Sequence, residues 1–199
     1  MSSLPANLQA KARSALADIQ ALERAVSFDN GGVTLEELSL LGMVRVQGPG
    51  SDSSFCEQVA DLVMPLPAPG LTTRKGELKC LWLTPDEWLI VTPPSGENSV
   101  LTALTLALEG RVALATMITD SRLAVEITGP CAAVLLSKGC ALDLHPAKFA
   151  VGNASVTRFA KSAAMVTRVQ EDAYQLYVDR SQARYTWEWL LDAAGEFVR

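Results

Sequence analysis

The sequence is poor in the residues from which metal centres and acid-base sites are most often built. It has one histidine and four cysteines among 199 residues. The cysteines, Cys56, Cys80, Cys131 and Cys140, are scattered without a CxxC pair. A structural zinc site needs paired ligands at close spacing, so no metal site is predicted. Isolated cysteines of this kind are typical of a reducing compartment, and the cytoplasm is the expected location.

Long runs of one character are also missing. The formal net charge is -5, and no Lys/Arg cluster of the kind that binds nucleic acid is present. No apolar run is long enough to cross a bilayer, and the N-terminus lacks the apolar core of a secretory signal. The sequence therefore predicts a protein that contacts neither nucleic acid nor membrane.

A dinucleotide-binding fingerprint is missing as well. A flavin or NAD site of the common kind needs a GxGxxG turn between a strand and a helix. The nearest stretch is Gly48-Pro49-Gly50, where a proline follows the first glycine and the third glycine is lacking. Gly48-Pro49 and the similar Gly129-Pro130 instead predict helix starts, with proline at the first helical position. We expect no cofactor on this chain.

The N-terminal segment predicts a helical arm, residues 1–33. Apolar residues from Leu8 to Val26 recur at helical spacing, and Pro5 suits a first turn. Asn30-Gly31-Gly32 then breaks the pattern. Such an arm would lie either on its own domain or on a partner.

The remainder, residues 34–199, predicts one unit written twice, at about 34–112 and 113–199. Each unit has a strand, a Gly-Pro pair, a helix, two strands around a tight turn, and a second helix. Nearly half of all residues are hydrophobic, which suffices for a core without disulfides. Alternation such as Val44 and Val46 against Arg45 and Gln47 fits strands with one buried face. The predicted class is α+β, a sandwich of sheet and helices.

The single histidine, His145, lies before Pro146 in the stretch KGCALDLHP. A residue before proline is disfavoured in a helix, so His145 should stand at a helix exit or turn. Its counterpart in the first unit is Leu66, before Pro67, so the repeat does not require a histidine. It could titrate in a reaction. The favoured role is structural, as a hydrogen-bonding residue that anchors the loop or an interface, with Asp143 as a candidate partner. No second histidine is available as a base for Cys131, so the favoured interpretation of this cysteine is an unreactive thiol.

The last helix carries the best candidates for a partner interface. Tyr185 and Trp189 are one turn apart, and Trp187 pairs similarly with Leu191, so two faces bear large side chains. Tryptophan, tyrosine and arginine are favoured anchors of interfaces. The candidate residues are Trp187, Trp189, Tyr185, Arg180 and Arg184. At least one tryptophan should be substantially exposed in the isolated chain. The alternative is a helix buried on both faces.

Several motifs together resemble the gamma subunit of heterotetrameric sarcosine oxidase. The resemblance runs in order from about residue 38 to the C-terminus. The stretches that carry it are Trp82-Leu83-Thr84-Pro85-Asp86-Glu87-Trp88-Leu89, Thr119-Asp120-Ser121, Gly129-Pro130, Lys138-Gly139-Cys140, Asp143-Leu144-His145-Pro146, Thr157-Arg158, Arg180-Ser181 and Trp187-Glu188-Trp189-Leu190-Leu191.

The resemblance implies a fold and a function. The fold would be similar to that of the folate-binding aminomethyltransferases. The chain would be a mainly structural, non-catalytic subunit that packs chiefly against alpha, in a complex with beta and delta subunits. That complex would oxidise sarcosine to glycine, with hydrogen peroxide and a one-carbon unit as further products. FAD, FMN, NAD and tetrahydrofolate would be bound by the partner subunits.

Two alternative functions remain open from the sequence. The chain could be a stand-alone folate or one-carbon protein, with a carboxylate from Asp120, Asp143 or Asp179 holding the pterin ring. It could instead be the small subunit of a related N-methyl amino acid dehydrogenase. Binding of a reduced folate to the isolated chain would distinguish the first alternative.

Overall fold

Short antiparallel strands and four helices make up the part of the chain described by the computed structural model, residues 13–17, 25–28 and 32–197. The strands are β1 (Ala25–Phe28), β2 (Val33–Glu37), β3 (Gly42–Gln47), β4 (Thr72–Lys75), β5 (Leu78–Thr84), β6 (Glu87–Thr92), β7 (Leu114–Met117), β8 (Arg122–Thr128), β9 (Ala154–Phe159), β10 (Ser162–Gln170) and β11 (Ala173–Asp179). The α-helices are α1 (Ser53–Leu62), α2 (Glu97–Ala107), α3 (Ala132–Gly139) and α4 (Ala183–Ala194).

The predicted internal repeat is confirmed by the topology. The first unit runs β3, α1, β4, β5, β6, α2, and the second runs β8, α3, β9, β10, β11, α4. Their strands lie side by side in the same order, β4-β5-β6-β3 in one sheet and β9-β10-β11-β8 in the other. Each unit has one strand more than predicted, β4 or β9. The predicted hairpin is present in each unit, with its turn before Glu87 in the first and before Ala173 in the second.

The two units exchange a strand. β2 precedes the first unit in sequence but pairs with β8 of the second, while β7 precedes the second unit but pairs with β3 of the first. One sheet therefore has six strands, β1-β2-β8-β11-β10-β9, and the other has five, β4-β5-β6-β3-β7. The predicted boundary at residue 112 divides the sequence repeat. It does not divide the sheets, because β7 belongs in space to the first unit.

Three apolar clusters arrange the elements in four layers. Helices α3 and α4 cover the outer face of the six-stranded sheet, and α1 and α2 cover the outer face of the five-stranded sheet. A third cluster, which includes Met43, Leu81, Met165 and Tyr177, fills the space between the sheets. The predicted sheet and helix sandwich is thus confirmed, with the sheets packed face to face inside it.

The predicted N-terminal helix from Pro5 to Val26 is wrong wherever the structure describes it. Residues 15–17 form a turn, and Ala25 and Val26 lie in strand β1. Leu16 and Val33 are buried in the core of the second unit. The described residues of the arm therefore belong to the core and to the six-stranded sheet, because pairing with β2 satisfies the backbone where a helix was expected. The rest of the predicted helix falls on residues 5–12 and 18–24, which lie outside the described residues.

The two Gly-Pro pairs precede their helices and do not open them. Helix α1 begins at Ser53, and its N-cap is Asp52, whose carboxylate accepts from Ser54 N at 2.9 Å. Helix α3 begins at Ala132, after Gly129 has taken a left-handed backbone with φ of 111°. Each pair makes the bend from strand to helix, so the prediction of proline at the first helical position is wrong.

None of the described helices is long and apolar enough to cross a membrane.

Candidate functional site

Helix α4 turns its largest residue inward. Trp187 is 0% exposed and packs in the core between the helix and the six-stranded sheet. It lies on a helical stripe with Ala183, Leu190 and Ala194, which are spaced three or four residues apart and are all buried. Trp187 is therefore a core residue, and its prediction as an interface anchor is wrong.

The second aromatic face of α4 is only partly open. Trp189 is half-buried, and its ring meets the edge of Phe159 from β9, with centroids 4.8 Å apart at an interplanar angle of 79°. Tyr185 is half-buried as well. The expectation of a substantially exposed tryptophan on this helix is wrong, because Phe159 of the edge strand β9 packs against Trp189. Trp189 and Tyr185 still present part of their surface to solvent.

The two predicted arginines have different surroundings. Arg184 is exposed and pairs with Glu188 one turn later, with a distance of 2.8 Å from Nε to Oε1. Arg180 donates to the carbonyl oxygens of Arg13 and Ser14, at 3.2 and 3.1 Å. Arg180 thus fastens the N-terminal segment to the start of α4, whereas Arg184 is available on the surface with its partner.

His145 is exposed and shapes a turn. Its backbone N–H donates to the carboxylate of Asp143 at 3.0 Å, and its ring Nδ1 accepts from the backbone N–H of Ala147 at 3.2 Å. The chain then tightens, because Lys148 and Phe149 donate to the His145 carbonyl. These bonds fit the interpretation of His145 as a loop anchor, and the Ala147 bond occupies Nδ1 with the protein's own backbone.

The three aspartates proposed to hold a pterin ring are not brought together. Asp120 lies in a short helical turn before β8, and Asp143 lies in the loop after α3. Asp179, at the end of β11, accepts from the backbone N–H of Ser181 at 2.9 Å. Hydrogen bonding by the Ser181 side chain, and then by its backbone N–H, lowers the pKa of the Asp179 carboxyl. Two of the three thus have local structural duties. All three are exposed, without a shared cleft among the described residues.

The glycines at 48–50 make room for the protein itself, and not for a dinucleotide. A Cβ on Gly50 would stand 2.1 Å from the Pro85 carbonyl oxygen, and one on Gly48 would stand 2.7 Å from the Phe55 ring. The Gly50 N–H donates to Asp86 at 2.9 Å, and the start of α1 is occupied by Asp52. Two carboxylates thus stand where a phosphate would have to bind, so this turn does not fit a flavin or NAD.

The four thiols show no activated arrangement. Cys80 and Cys140 are buried, and burial raises the pKa of each thiol. The pKa of Cys56 is also raised, by burial and then by the nearby carboxylates of Asp52 and Glu57. Cys131 is the N-cap of α3 and is half-buried. Among the described residues, no group of three or more His, Cys, Asp or Glu side chains could hold a metal ion.

A buried polar cluster, which we call the inter-sheet cluster, joins the two units. It consists of Lys79 from β5, Gln175 and Tyr177 from β11, and Glu126 from β8. The Lys79 ammonium donates to Gln175 Oε1 and, at 2.6 Å, to the Tyr177 hydroxyl. Gln175 Nε2 donates in turn to Glu126 at 2.8 Å. Burial lowers the pKa of Lys79 to about 7, and Arg74 acts in the same direction, while Glu126 opposes both.

Gln175 is the central residue of the inter-sheet cluster. The Tyr177 hydroxyl also donates to Gln175 Oε1 at 2.8 Å, so Gln175 links each of the other three residues. The cluster therefore fixes the position of the five-stranded sheet against the six-stranded sheet, at the energetic cost of a buried cation, and we assign it a structural role. The sequence reasoning missed it. The signal available in the sequence was the spacing of Lys79, Leu81 and Leu83, which are two residues apart and share one face of the strand. Lys79 is thus a cation on an otherwise apolar face.

The comparisons with known proteins agree with one another. Residues 47–196 match the family model described as "Sarcosine oxidase, gamma subunit family". The chain is 30% identical over 176 residues to sarcosine oxidase subunit gamma of an Arthrobacter species, covering 84% of this chain and 83% of that protein. It is also 30% identical over 186 residues to the protein of the same name from Corynebacterium sp. strain U-96, covering 89% and 86%.

Two solved structures extend the comparison. A chain of heterotetrameric sarcosine oxidase from Corynebacterium sp. U-96, in complex with pyrrole 2-carboxylate, is similar with a TM-score of 0.84 and 27% identity. The match covers 94% of this chain and 96% of that chain. Aminomethyltransferase T of the glycine cleavage system from Bartonella henselae is similar with a TM-score of 0.59 and 17% identity, over 79% of this chain and 45% of that one. The second likeness is one of fold alone.

Proposed function

Because the chain belongs to the sarcosine oxidase gamma subunit family, as its motifs predicted, we propose that it is the gamma subunit of a heterotetrameric sarcosine oxidase. We further propose that it is a structural subunit, without catalysis of its own. The full complex would oxidise sarcosine to glycine and release hydrogen peroxide and a one-carbon unit, as formaldehyde or as methylene-tetrahydrofolate.

One observation carries the structural role. The residues best suited to chemistry are already committed to the fold. The His145 ring accepts from a backbone N–H, Asp179 caps a turn, and the Lys79 ammonium bonds across the two sheets. General acid-base catalysis needs titrating groups that converge on one substrate. His145, Asp179 and Lys79 lie apart, in the loop after α3, at the end of β11 and between the sheets, and this separation supports a role in assembly.

We assign the redox chemistry to the partner subunits. FAD, FMN, NAD and tetrahydrofolate would all be bound there, and cofactors carry the oxidation in such enzymes while protein supplies binding and orientation. The glycine turn at 48–50, which is closed by Asp86 and Asp52, supports this assignment. The alpha subunit would be the chief contact, with beta and delta in the same complex. Four unpaired cysteines support the cytoplasm as the location.

The surface of α4 remains part of this proposal in a reduced form. Tyr185, Trp189 and Arg184 present solvent-accessible surface on one side of the helix, whereas Trp187 faces the core and Arg180 binds the N-terminal segment. We propose that the first three residues contribute to the contact with alpha. Aromatic and arginine side chains are enriched in such contacts.

Expression of the chain alone and together with alpha, beta and delta tests the proposal. The isolated chain is expected to be colourless and to consume no oxygen with sarcosine. The four chains together should co-purify as one complex that has the colour of bound flavin and consumes oxygen with sarcosine. Flavin bound in stoichiometric amount by the isolated chain, or full activity of the complex assembled without this chain, would contradict the proposal.

The same preparations address a stand-alone folate protein. The likeness to aminomethyltransferase T concerns fold alone, and the three candidate aspartates lie on separate elements. Titration of the isolated chain with a reduced folate by calorimetry is therefore expected to give no binding heat. Binding by the isolated chain would favour the folate function over the structural one.

A further inference from the structure

The internal repeat leaves one position unmatched. Each strand of the five-stranded sheet has a counterpart in the other sheet, with β7 beside β3 corresponding to β2 beside β8. In the six-stranded sheet, β1 continues outward from β2 as an antiparallel neighbour. Among the described residues, no strand pairs with the outer edge of β7. The repeat thus predicts a sixth strand at that edge.

The backbone of β7 has groups available for such a strand. Ile118, directly after β7, donates its N–H to Met43 of the first unit at 2.8 Å. Hydrogen-bonding direction alternates along an antiparallel strand. The odd-numbered residues, Ala115 and Met117, therefore direct their N–H and C=O groups away from β3. An edge of this kind is a template for pairing with another chain.

The side chains around this edge are apolar and exposed. Leu114 and Met117 of β7 are 56% and 38% exposed and project from opposite faces of the strand. Val112, just before β7, is 97% exposed, and Leu106 of the adjacent helix α2 is 61% exposed. A grouping of exposed apolar residues on neighbouring elements is typical of an interaction site. A strand with alternating apolar residues would cover both faces.

The edge differs from those at the opposite ends of the sheets. Strand β4 carries Arg74 and Lys75, and β9 carries Arg158, whereas β7 has the sequence Leu-Ala-Thr-Met without a charge. Charged side chains on an edge strand protect it against pairing with other chains. β7 lacks this protection.

Hydrogen bonds and an ion pair within the chain fix the position of the β7 edge. Arg111, at the entrance to β7, donates from Nε to Gln58 at 2.8 Å and from a terminal nitrogen to the Ser54 hydroxyl at 2.7 Å. It also forms an ion pair with Asp52 at 3.3 Å. These bonds fix the loop before β7 to helix α1, so a binding strand would meet a preorganised edge at low entropic cost.

We propose that the outer edge of β7 binds an extended, uncharged segment of a partner subunit, which joins the five-stranded sheet as an antiparallel sixth strand. Main-chain hydrogen bonds to Ala115 and Met117 supply the affinity, and alternate apolar side chains contact Leu114, Met117 and Leu106. This is the mode of strand addition known from many peptide-binding sheets. The inference rests on the proposed function, because it places the occupant in the same heterotetramer.

Amide hydrogen exchange on the unmodified protein is the first test. The N–H groups of Ala115 and Met117 should exchange rapidly in the isolated chain and at least tenfold more slowly in the assembled complex. Those of Thr116 and Ile118, which face β3, should be slow in both. Rapid exchange of Ala115 and Met117 in the complex would overturn the proposal. So would slow exchange in the isolated monomer, since the chain itself would then cover the edge.

A matched pair of proline variants is the second test. Proline at Met117 removes an outward N–H of β7 without removing a bond to β3. Val156→Pro is the control, because Ala154, two residues earlier on β9, donates away from β10, so Val156 also faces outward. We expect Met117→Pro to weaken assembly roughly tenfold, a loss that corresponds to about one hydrogen bond. Val156→Pro should assemble like the wild type.

Folding and self-association are checked in the same experiment. Leu114→Glu and Val112→Glu leave the backbone intact, and each should weaken assembly if Met117→Pro does so through the edge and not through misfolding. If wild-type chain fails to assemble with its partners, the proposed function fails. If it assembles, and if Met117→Pro, Leu114→Glu and Val112→Glu assemble equally well, only the sixth strand is overturned. An isolated chain that dimerises through β7 would also overturn it, because a second copy would be the occupant.

Discussion

The two halves of this protein have the same order of strands and helices but are completed differently. The six-stranded sheet receives β2 and β1 beyond the repeat, whereas the five-stranded sheet receives only β7. Beyond the shared strands, the six-stranded sheet therefore ends at β1, and the five-stranded sheet ends at β7, where Leu114 and Met117 are exposed. The repeat sets the order of the shared strands, and the segments outside it decide how each sheet is completed.

The exchange of β2 and β7 explains why the halves cannot be separated at a linker. Each unit depends on a strand that lies outside it in sequence. The inter-sheet cluster adds a polar contact, in which Lys79 from one unit bonds to Gln175 and Tyr177 of the other. The two halves thus form one domain, although the sequence shows two repeats.

The largest expected change in the free energy of unfolding comes from the helix cores of the two halves, where Trp187 in α4 corresponds to a leucine in α2. Trp187→Ala should destabilise the folded chain by about 3–5 kcal/mol, because it removes a fully buried indole and leaves a cavity. Leu104→Ala in α2, on the corresponding helix of the first half, should cost about 2–5 kcal/mol. Urea unfolding measures both values. Glu188→Ala on the exposed face of α4 is the control and should change the free energy by less than about 0.5 kcal/mol.

A Trp187→Ala chain that unfolds at the same urea concentration as Glu188→Ala would contradict the assignment of Trp187 to the core. Trp187 would then again be a candidate for the interface with a partner subunit.

The next effect concerns the bond between the halves. The Lys79 pKa of about 7 lies below the unfolded value of about 10.5. The unfolded chain therefore binds the proton more tightly, and stability should rise with pH between about 7 and 10.5. Lys79→Met removes the buried cation but leaves Tyr177, Gln175 and Glu126 bonded to one another. At pH 7 or below it should stabilise the chain by the order of a few kcal/mol.

The gain from Lys79→Met should diminish as the pH is raised toward 10.5, because the wild-type lysine is then neutral in the folded state. Urea unfolding at about pH 6.5 and pH 9.5 measures this difference. Lys75→Met, on the exposed strand β4, is the matched control and should show no such pH dependence. A gain that grows with pH would contradict the lowered pKa of Lys79.

A smaller effect separates the two Gly-Pro turns. Gly48→Ala places a Cβ 2.7 Å from the Phe55 ring and should cost about 1–3 kcal/mol through overpacking. Gly129→Ala should cost about 1–3 kcal/mol for another reason, since its φ of 111° disfavours any side chain. A double-mutant cycle with Phe55→Leu distinguishes the two causes. Coupling is expected for Gly48 alone, and equal coupling for both glycines would contradict the distinction.

Sequence reasoning succeeded where a pattern is long and regular. The turns between β5 and β6 and between β10 and β11 were predicted, and so were helices α2 and α4. The short strands β1, β2, β4, β7 and β9 were missed, because four to six residues are too few for alternation to be distinguished from chance. Their conformation is decided by pairing with partners distant in the chain, which propensity does not report.

The candidate site was harder to predict than the fold. Trp187 and Trp189 lie on two faces of one helix, and the helical period shows that the faces differ without showing which one meets the sheet. The β7 edge could not be found from the sequence either. Its signal is a missing counterpart of β1, which becomes visible only when both sheet orders are known.

The smallest expected effect concerns His145, whose counterpart in the first half is the partly buried Leu66. His145→Asn keeps a side-chain acceptor for the Ala147 N–H and should leave the stability of the chain nearly unchanged. His145→Leu, which copies the first half, loses that acceptor and should cost about 0.5–1.5 kcal/mol. Since the ring shapes a turn, both variants should support sarcosine oxidation in the reconstituted complex within a few-fold of wild type. The pH–rate profile should keep both limbs in each variant. A limb lost in His145→Asn would show that His145 titrates in the reaction and that the second half carries a catalytic group.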